Sequence, residues 1–138
     1  MQIIIPAIVL GFWTFCVLLM IPITRFWAVG HKSATAKDFK LGETDRLPDY
    51  VKLPNRNYMN LTELPTLFYF ITIVIQMTGV TNNLLVGLAW VYVGMRIVHS
   101  IVHIFFNHVI LRFLVFAIGN VVLLAIWGIA AIKILFHA

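Results

Sequence analysis

Four stretches of this chain are apolar for about the length of a membrane span, and its charged residues are gathered almost entirely between them. The first runs from about Ile3 to Phe26, the second from about Leu61 to Thr78, the third from about Leu84 to Phe106 and the fourth from about Ile110 to Phe136. A helix needs roughly 20 residues to cross ~30 Å of hydrocarbon, and each stretch is near that length. Pro6 and Pro22 fall near the ends of the first helix and Pro65 in the first turns of the second, where proline is tolerated. Gly79 to Asn83 is a tight turn and His103 to Arg112 a second short connection, so the flanking helices are antiparallel neighbours. The pattern predicts an all-α integral membrane four-helix bundle, one domain over residues 1–138.

Between the first and second helices, about Trp27 to Asn60 is predicted as a long loop. Pro48 and Pro54 break it up, Asn55-Arg56-Asn57 leads back to the membrane, and the whole caps one face. Connections this long in a small protein are usually functional.

Composition strengthens the membrane reading. Of 138 residues, 62% are hydrophobic and 11% charged, whereas a soluble domain carries roughly 25% charged residues and has no core large enough to hide this much apolar surface. The net charge of +5 does not point to nucleic acid. Seven of the ten Lys and Arg residues lie between Arg25 and Arg56, interleaved with Asp38, Glu43, Asp45 and Asp49, which is a mixed-charge loop and not a basic strip with aromatics. The Lys/Arg bias makes the first loop and the last connection, marked by Arg112, cytoplasmic, with both termini on the other side. Lys133 dissents and can snorkel. Met1 and Gln2 lead into the first apolar run without a preceding basic residue, which predicts a retained helix and not a signal peptide. The ending Phe136-His137-Ala138 resembles no retention signal, which favours a bacterial inner membrane over the endoplasmic reticulum. The single cysteine, Cys16, forms no intrachain disulfide and is expected to pack as a small residue.

The polar residues that remain near the spans need a reason to be there, since an Arg, Lys or Asp at the centre of a bilayer costs about 2.5–3.5 kcal/mol even on insertion scales. Arg56, Asn60 and Glu63 are spaced i, i+4, i+7 and share one helical face. They read either as a ligand-facing set or as a helix start, with Asn60 as N-cap and Glu63 closing a capping box. Arg96, His99 and His103, spaced i, i+3, i+7, likewise share a face, either as part of a site or as a polar seam between helices. His99 and His103, with His108 nearby, lack an Asp, Glu or Cys at ligand spacing, so no metal site is expected. Glu63 is the only carboxylate inside a predicted span, and Arg96 is its natural buried partner. Arg112 stands at the start of the fourth helix, where a cation opposes the helix dipole. With Arg56 and Arg96 it forms an arginine cluster suited to an anion bearing carboxylates. No Gly-x-Ser-x-Gly elbow, phosphate-cradling loop or Cys beside a base is present, so any nucleophile arrives with the substrate.

The string Arg56-x-x-x-Asn60-x-x-Glu63-x-Pro65 resembles the signature of the MAPEG family, which includes microsomal glutathione transferases, leukotriene C synthase and microsomal prostaglandin E synthase. Arg96-Ile-Val-His99-Ser-Ile-Val-His103 followed by Arg112 is similar to the third-helix and fourth-helix pattern of the prostaglandin synthase branch. The resemblance covers essentially the whole chain. It implies a homotrimer with glutathione bound between neighbouring subunits near the cytoplasmic leaflet. Arg56, Asn60, Glu63, Arg96 and His99 would then hold glutathione, and Arg112 would stabilise its thiolate, the nucleophilic form. Arg25, at the end of the first helix, is expected to face the same site and join in binding glutathione. His103 stands where many members carry a glutathione-contacting tyrosine and would bind glutathione in its place, since histidine can hydrogen-bond too, although it is shorter and titrates near neutral pH.

The resemblance implies a glutathione transferase or peroxidase acting on lipophilic electrophiles or lipid hydroperoxides that arrive from the membrane. The alternative is a non-catalytic lipid-binding or scaffold protein of the same family. A channel is disfavoured because the polar faces do not continue across the outer leaflet.

Overall fold

A backbone surrounded by lipid has no water to bond, so every span must satisfy its own N–H and C=O groups, and helices do this along their length. The computed structural model describes residues 2–40 and 42–136. It is all-helical, with no β-strand among the described residues. The helices are α1 (Ile4–Gly30), α2 (Asp49–Glu63), α3 (Pro65–Thr78), α4 (Asn83–Ile101) and α5 (Val109–Phe136), with a π turn at Val102–Phe106 extending α4. Four crossings are long and apolar enough for a membrane: Ile4–Gly30, Asp49–Thr78, Asn83–Phe106 and Val109–Phe136.

The largest correction to the sequence reading concerns the second crossing, whose helix begins at Asp49 and not near Leu61. At 1.5 Å per residue a 30-residue crossing is about 45 Å long, against ~30 Å of hydrocarbon. Hydropathy marks where lipid contact begins, whereas the helix continues past that boundary into polar surroundings. Asn55, Arg56 and Asn57 are therefore helical, and Pro54 lies inside α2, while Pro48 does stop the helix at its N-cap. Asn60 lies in the last turn of α2, so neither an N-cap nor a capping box with Glu63 exists there. At the other end, Pro65 has no amide to give to Leu61 and divides α2 from α3, although Leu64 keeps helical angles (φ −70°, ψ −41°). Thr66 Oγ1 donates to Thr62 O at 2.5 Å beside this gap. α1 also outruns its predicted end, passing through Pro22 to Gly30.

The predicted loop of residues 27–60 thus shrinks to residues 31–48. It folds back as a small cap: Ala28, Ala34, Leu47 and Val51 bury together, with Phe39 against them. Arg25 lies 3.9 Å from Glu43 and 5.2 Å from the Phe39 ring centroid. A short 3₁₀ turn at Ala36–Phe39 is fastened by Asp38 Oδ2, which accepts from both Thr35 N and Thr35 Oγ1 at 2.8 Å. Those two donors hold the Asp38 carboxyl below its ordinary range.

The predicted tight turn from Gly79 to Asn83 is present, and the predicted connection from His103 to Arg112 is shorter than expected, since helical structure runs through Phe106 and resumes at Val109. Gly79 ends α3 in the left-handed region (φ 70°), and Asn82 caps α4 by accepting from Leu85 N at 2.8 Å. The core lies among α1, α3, α4 and α5, where Leu10, Val17, Phe68, Ile75, Ala89, Tyr92 and Ile126 are buried. Phe68 packs on Tyr92 with centroids 4.5 Å apart. Gly119 of α5 faces α4, and a Cβ there would meet Met95 Cβ at an ordinary contact distance of 3.6 Å. Around the outside, Phe12, Phe26, Met77 and Leu124 stand open, Met77 at 83% exposure. In water such a surface would aggregate, whereas lipid or a neighbouring subunit can cover it. Cys16 is on this outer surface and not packed within the chain, contrary to expectation. His137 and Ala138, on which the retention-signal reading partly rests, lie outside the described residues.

Candidate functional site

The extra turns of α2 create the site. Asp49, Lys52, Arg56, Asn60 and Glu63 follow one another at intervals of three and four residues, so all five fall on one face of the helix. That face looks across a cavity of about 650 Å³ at His99 and His103 of α4, at Asn107 in the following connection, and at Arg112, Phe113 and Phe116 of α5. The volume is within the ~300–1,000 Å³ typical of small-ligand pockets.

Of the residues singled out from the sequence, Arg56, Asn60, Glu63, His99, His103 and Arg112 line this one cavity. Arg25 does not join them within the chain. Its guanidinium is engaged by the cap, at Glu43 and Phe39. Arg96 is not at the cavity surface either, and the expected Glu63–Arg96 ion pair is not formed. Glu63 is exposed, while Arg96 is only 2% exposed and held from α4 and α5. Its Nε donates to Tyr92 Oη at 3.0 Å and its Nη2 to Asn120 Oδ1 at 2.7 Å. The Tyr92 and Phe116 ring centroids each lie 5.1 Å from the guanidinium carbon. A buried cation needs hydrogen-bond acceptors and gains from aromatic faces, and here neutral groups supply both. Phe116 also lines the cavity, so Arg96 stands behind the cavity wall.

His99 and His103 are buried, one turn apart, with ring centroids at 5.7 Å in an edge-on arrangement. His99 packs against Phe116, and His103 Nδ1 is buried without a hydrogen-bond partner. His108 turns away to the start of α5, where its Nδ1 accepts from Leu111 N at 3.2 Å. Among the described residues no group of three or more His, Cys, Asp or Glu is placed to hold a metal ion.

Arg112 sits in the first turn of α5 with its backbone N bonded to His108 O at 2.9 Å. Its Nη1 donates to Asn107 Oδ1 at 3.1 Å. A guanidinium beside the positive end of a helix is unfavourable alone and becomes useful where an anion docks.

The sequence reading missed Asp49, Lys52, Asn107 and Asn120. Asp49 and Lys52 were assigned to a loop, although their spacing to Arg56 continues the same helical face, and Lys52 Nζ lies 3.2 Å from Asp49 Oδ1. Asn120 had a signal, as an amide inside an otherwise apolar span. Asn107 had none, because its role depends on a turn that periodicity does not reveal.

Taken together, the cavity presents three cationic side chains, Lys52, Arg56 and Arg112, with two carboxylates, two amides and two imidazoles. That donor set fits a small ligand carrying more negative than positive charge. A sequence model of the MAPEG family matches residues 3–132. No curated protein and no solved structure matches the chain.

Proposed function

The chain belongs to the MAPEG family, which includes glutathione transferases and related proteins, and from that premise we propose that it is a membrane-bound glutathione-using enzyme. It conjugates glutathione to lipophilic electrophiles, or reduces lipid hydroperoxides with it. The observation that carries this reading is the convergence of Lys52, Arg56 and Arg112 with Asp49, Asn60 and Glu63 on one cavity. Glutathione bears two carboxylates, one ammonium group and a thiol. Two cations can take its carboxylates, an acidic side chain its ammonium, and a third cation its sulfur.

In this arrangement Arg56 and Lys52 bind carboxylates, Glu63 or Asp49 the ammonium, and Asn60 a backbone amide of the tripeptide. Arg112 faces the sulfur. A guanidinium beside a thiol stabilises the ionised form, typically lowering the pKa by about 1–3 units, and the thiolate attacks the electrophile. Phe113 and Phe116 supply an apolar wall for the second substrate, which enters from the lipid. Arg96 acts from behind the wall by fixing Phe116 and α5. The open apolar flanks of α1, α3 and α5 fit assembly as a homotrimer in which a neighbouring chain completes the site, and there Arg25 serves the neighbour's cavity. The Lys/Arg-rich cap is cytoplasmic and both termini are on the other side.

The test is to titrate the purified protein with glutathione and measure turnover of a generic aryl halide. Saturable binding with turnover supports the reading. Absence of binding at millimolar glutathione refutes it.

A further inference from the structure

The connection between α4 and α5 is built in a way that the proposed chemistry does not by itself require. At Val102 the helix opens into a π turn, which closes when Asn107 N donates to Val102 O at 2.7 Å. Asn107 itself lies in the left-handed region, at φ 46° and ψ 32°. Such angles are uncommon outside glycine, and asparagine is among the residues that tolerate them. Single π turns inside helices are rare and occur frequently at functional sites. If ending the helix were the only task, glycine would do it with less strain.

Asparagine differs from glycine here in what its side chain does. Asn107 Oδ1 accepts from Arg112 Nη1 at 3.1 Å, and both residues line the cavity. The π turn also contains His103, a third lining residue. One short segment therefore sets His103, Asn107 and Arg112 in fixed relation. Arginine has many rotamers, and on a helix N-terminus in an open cavity its head has no reason to remain in one place. A neutral acceptor can hold it without cancelling its charge, which a carboxylate would do.

We infer that Asn107 is a positioning residue: its left-handed backbone ends the π turn while its amide oxygen tethers the Arg112 guanidinium over the cavity. The step from tether to thiol activation rests on the glutathione reading above. The tether itself is a statement about two side chains and can be tested separately.

Asn107→Gly separates the two roles, since glycine keeps the left-handed backbone and deletes the acceptor. In the detergent-solubilised full-length protein, nitrogen-15 NMR of arginine guanidinium groups reads the tether directly. Wild type should show slowed rotation of the Arg112 Nη groups, assigned by its loss in Arg112→Met, and N107G should restore fast rotation. With glutathione bound, the pH midpoint of thiolate absorbance should rise in N107G toward that of R112M, by about 1 unit. In the R112M background N107G should add nothing further. Asn107→Asp keeps the tether but adds a negative charge, and should also raise the midpoint while Arg112 rotation stays slow. The other titratable groups on the cavity, Asp49, Lys52, Arg56, Glu63, His99 and His103, are common to all variants, so their contribution cancels in the comparison.

A purely structural Asn107 predicts that N107G matches wild type in both readouts, and that result overturns the inference. Equal and additive midpoint shifts in N107G and R112M overturn it as well. If wild type takes up no glutathione, the functional reading fails, and the guanidinium rotation still decides whether Asn107 holds Arg112.

Discussion

Replacing Asn120 with alanine removes one hydrogen bond, yet its consequence should exceed that of an ordinary neutral bond. Arg96 is almost entirely buried, and Asn120 Oδ1 is the partner of its Nη2 at 2.7 Å. Its Nη1 is already buried without a partner, so Asn120→Ala leaves two guanidinium nitrogens unpaired and only Nε held, by Tyr92. Hydrogen bonds to charged groups contribute about 1.5–3 kcal/mol, and the loss should fall in that range. Helix propensity acts in the opposite direction, since alanine is a better helix former than asparagine by roughly half a kcal/mol. The assay is unfolding free energy from SDS titration in mixed micelles, run as a double-mutant cycle with Arg96→Met. N120A alone should therefore destabilise by about 1–2.5 kcal/mol, and in the R96M background the destabilisation should vanish or reverse by about 0.5 kcal/mol. If N120A costs the same in both backgrounds, or nothing in either, Asn120 does not hold Arg96 and the account of the cavity's back wall is wrong.

Three further outcomes are expected. Phe68→Ala deletes a fully buried ring packed on Tyr92 and should lower stability by about 3–5 kcal/mol in the same titration; a loss below ~1 kcal/mol would mean that this core is not formed. Lys52→Met should weaken glutathione binding about 3–10-fold by calorimetry while leaving stability near wild type, and unchanged affinity would remove Lys52 from the site. Asp38 is held below the ordinary aspartate value of 3.8 by the Thr35 donors, so its contribution to the turn is complete above the ordinary aspartate range and is lost as pH falls through the lowered folded value. Carboxyl NMR should give a midpoint below 3.8, and Thr35 amide protection should fall in parallel; a midpoint at or above 3.8 contradicts the turn geometry.

Much of this architecture was legible from hydropathy, for reasons that also explain where it misled. Lipid demands apolar side chains, so four spans and the turn from Gly79 to Asn82 follow directly from the sequence. The same signal cannot report a helix that continues beyond the lipid, which is why α2 seemed to begin near Leu61 when it begins at Asp49. That error hid Asp49 and Lys52, although their spacing already matched Arg56, Asn60 and Glu63. The cavity's main residues were nevertheless recoverable, because helical periodicity places i, i+4 and i+7 on one face regardless of where the helix starts. Pairings across helices were not recoverable. Charge complementarity proposed Glu63 for Arg96, whereas the packing of α4 on α5 gives it Asn120, Tyr92 and Phe116. The π turn that aims Asn107 at Arg112 depends on a single backbone residue, and no periodic pattern records it.

The proposed function requires that this cavity bind glutathione and ionise its thiol against Arg112. Ultraviolet difference absorbance on mixing glutathione with the purified protein at neutral pH measures that directly, with S-methylglutathione as the control that cannot ionise. The account predicts a saturable thiolate band in wild type, none with the S-methyl analogue, and a band reduced about tenfold or more in Arg112→Met at saturating ligand. Glutathione bound without a thiolate band, or an undiminished band in Arg112→Met, would contradict it.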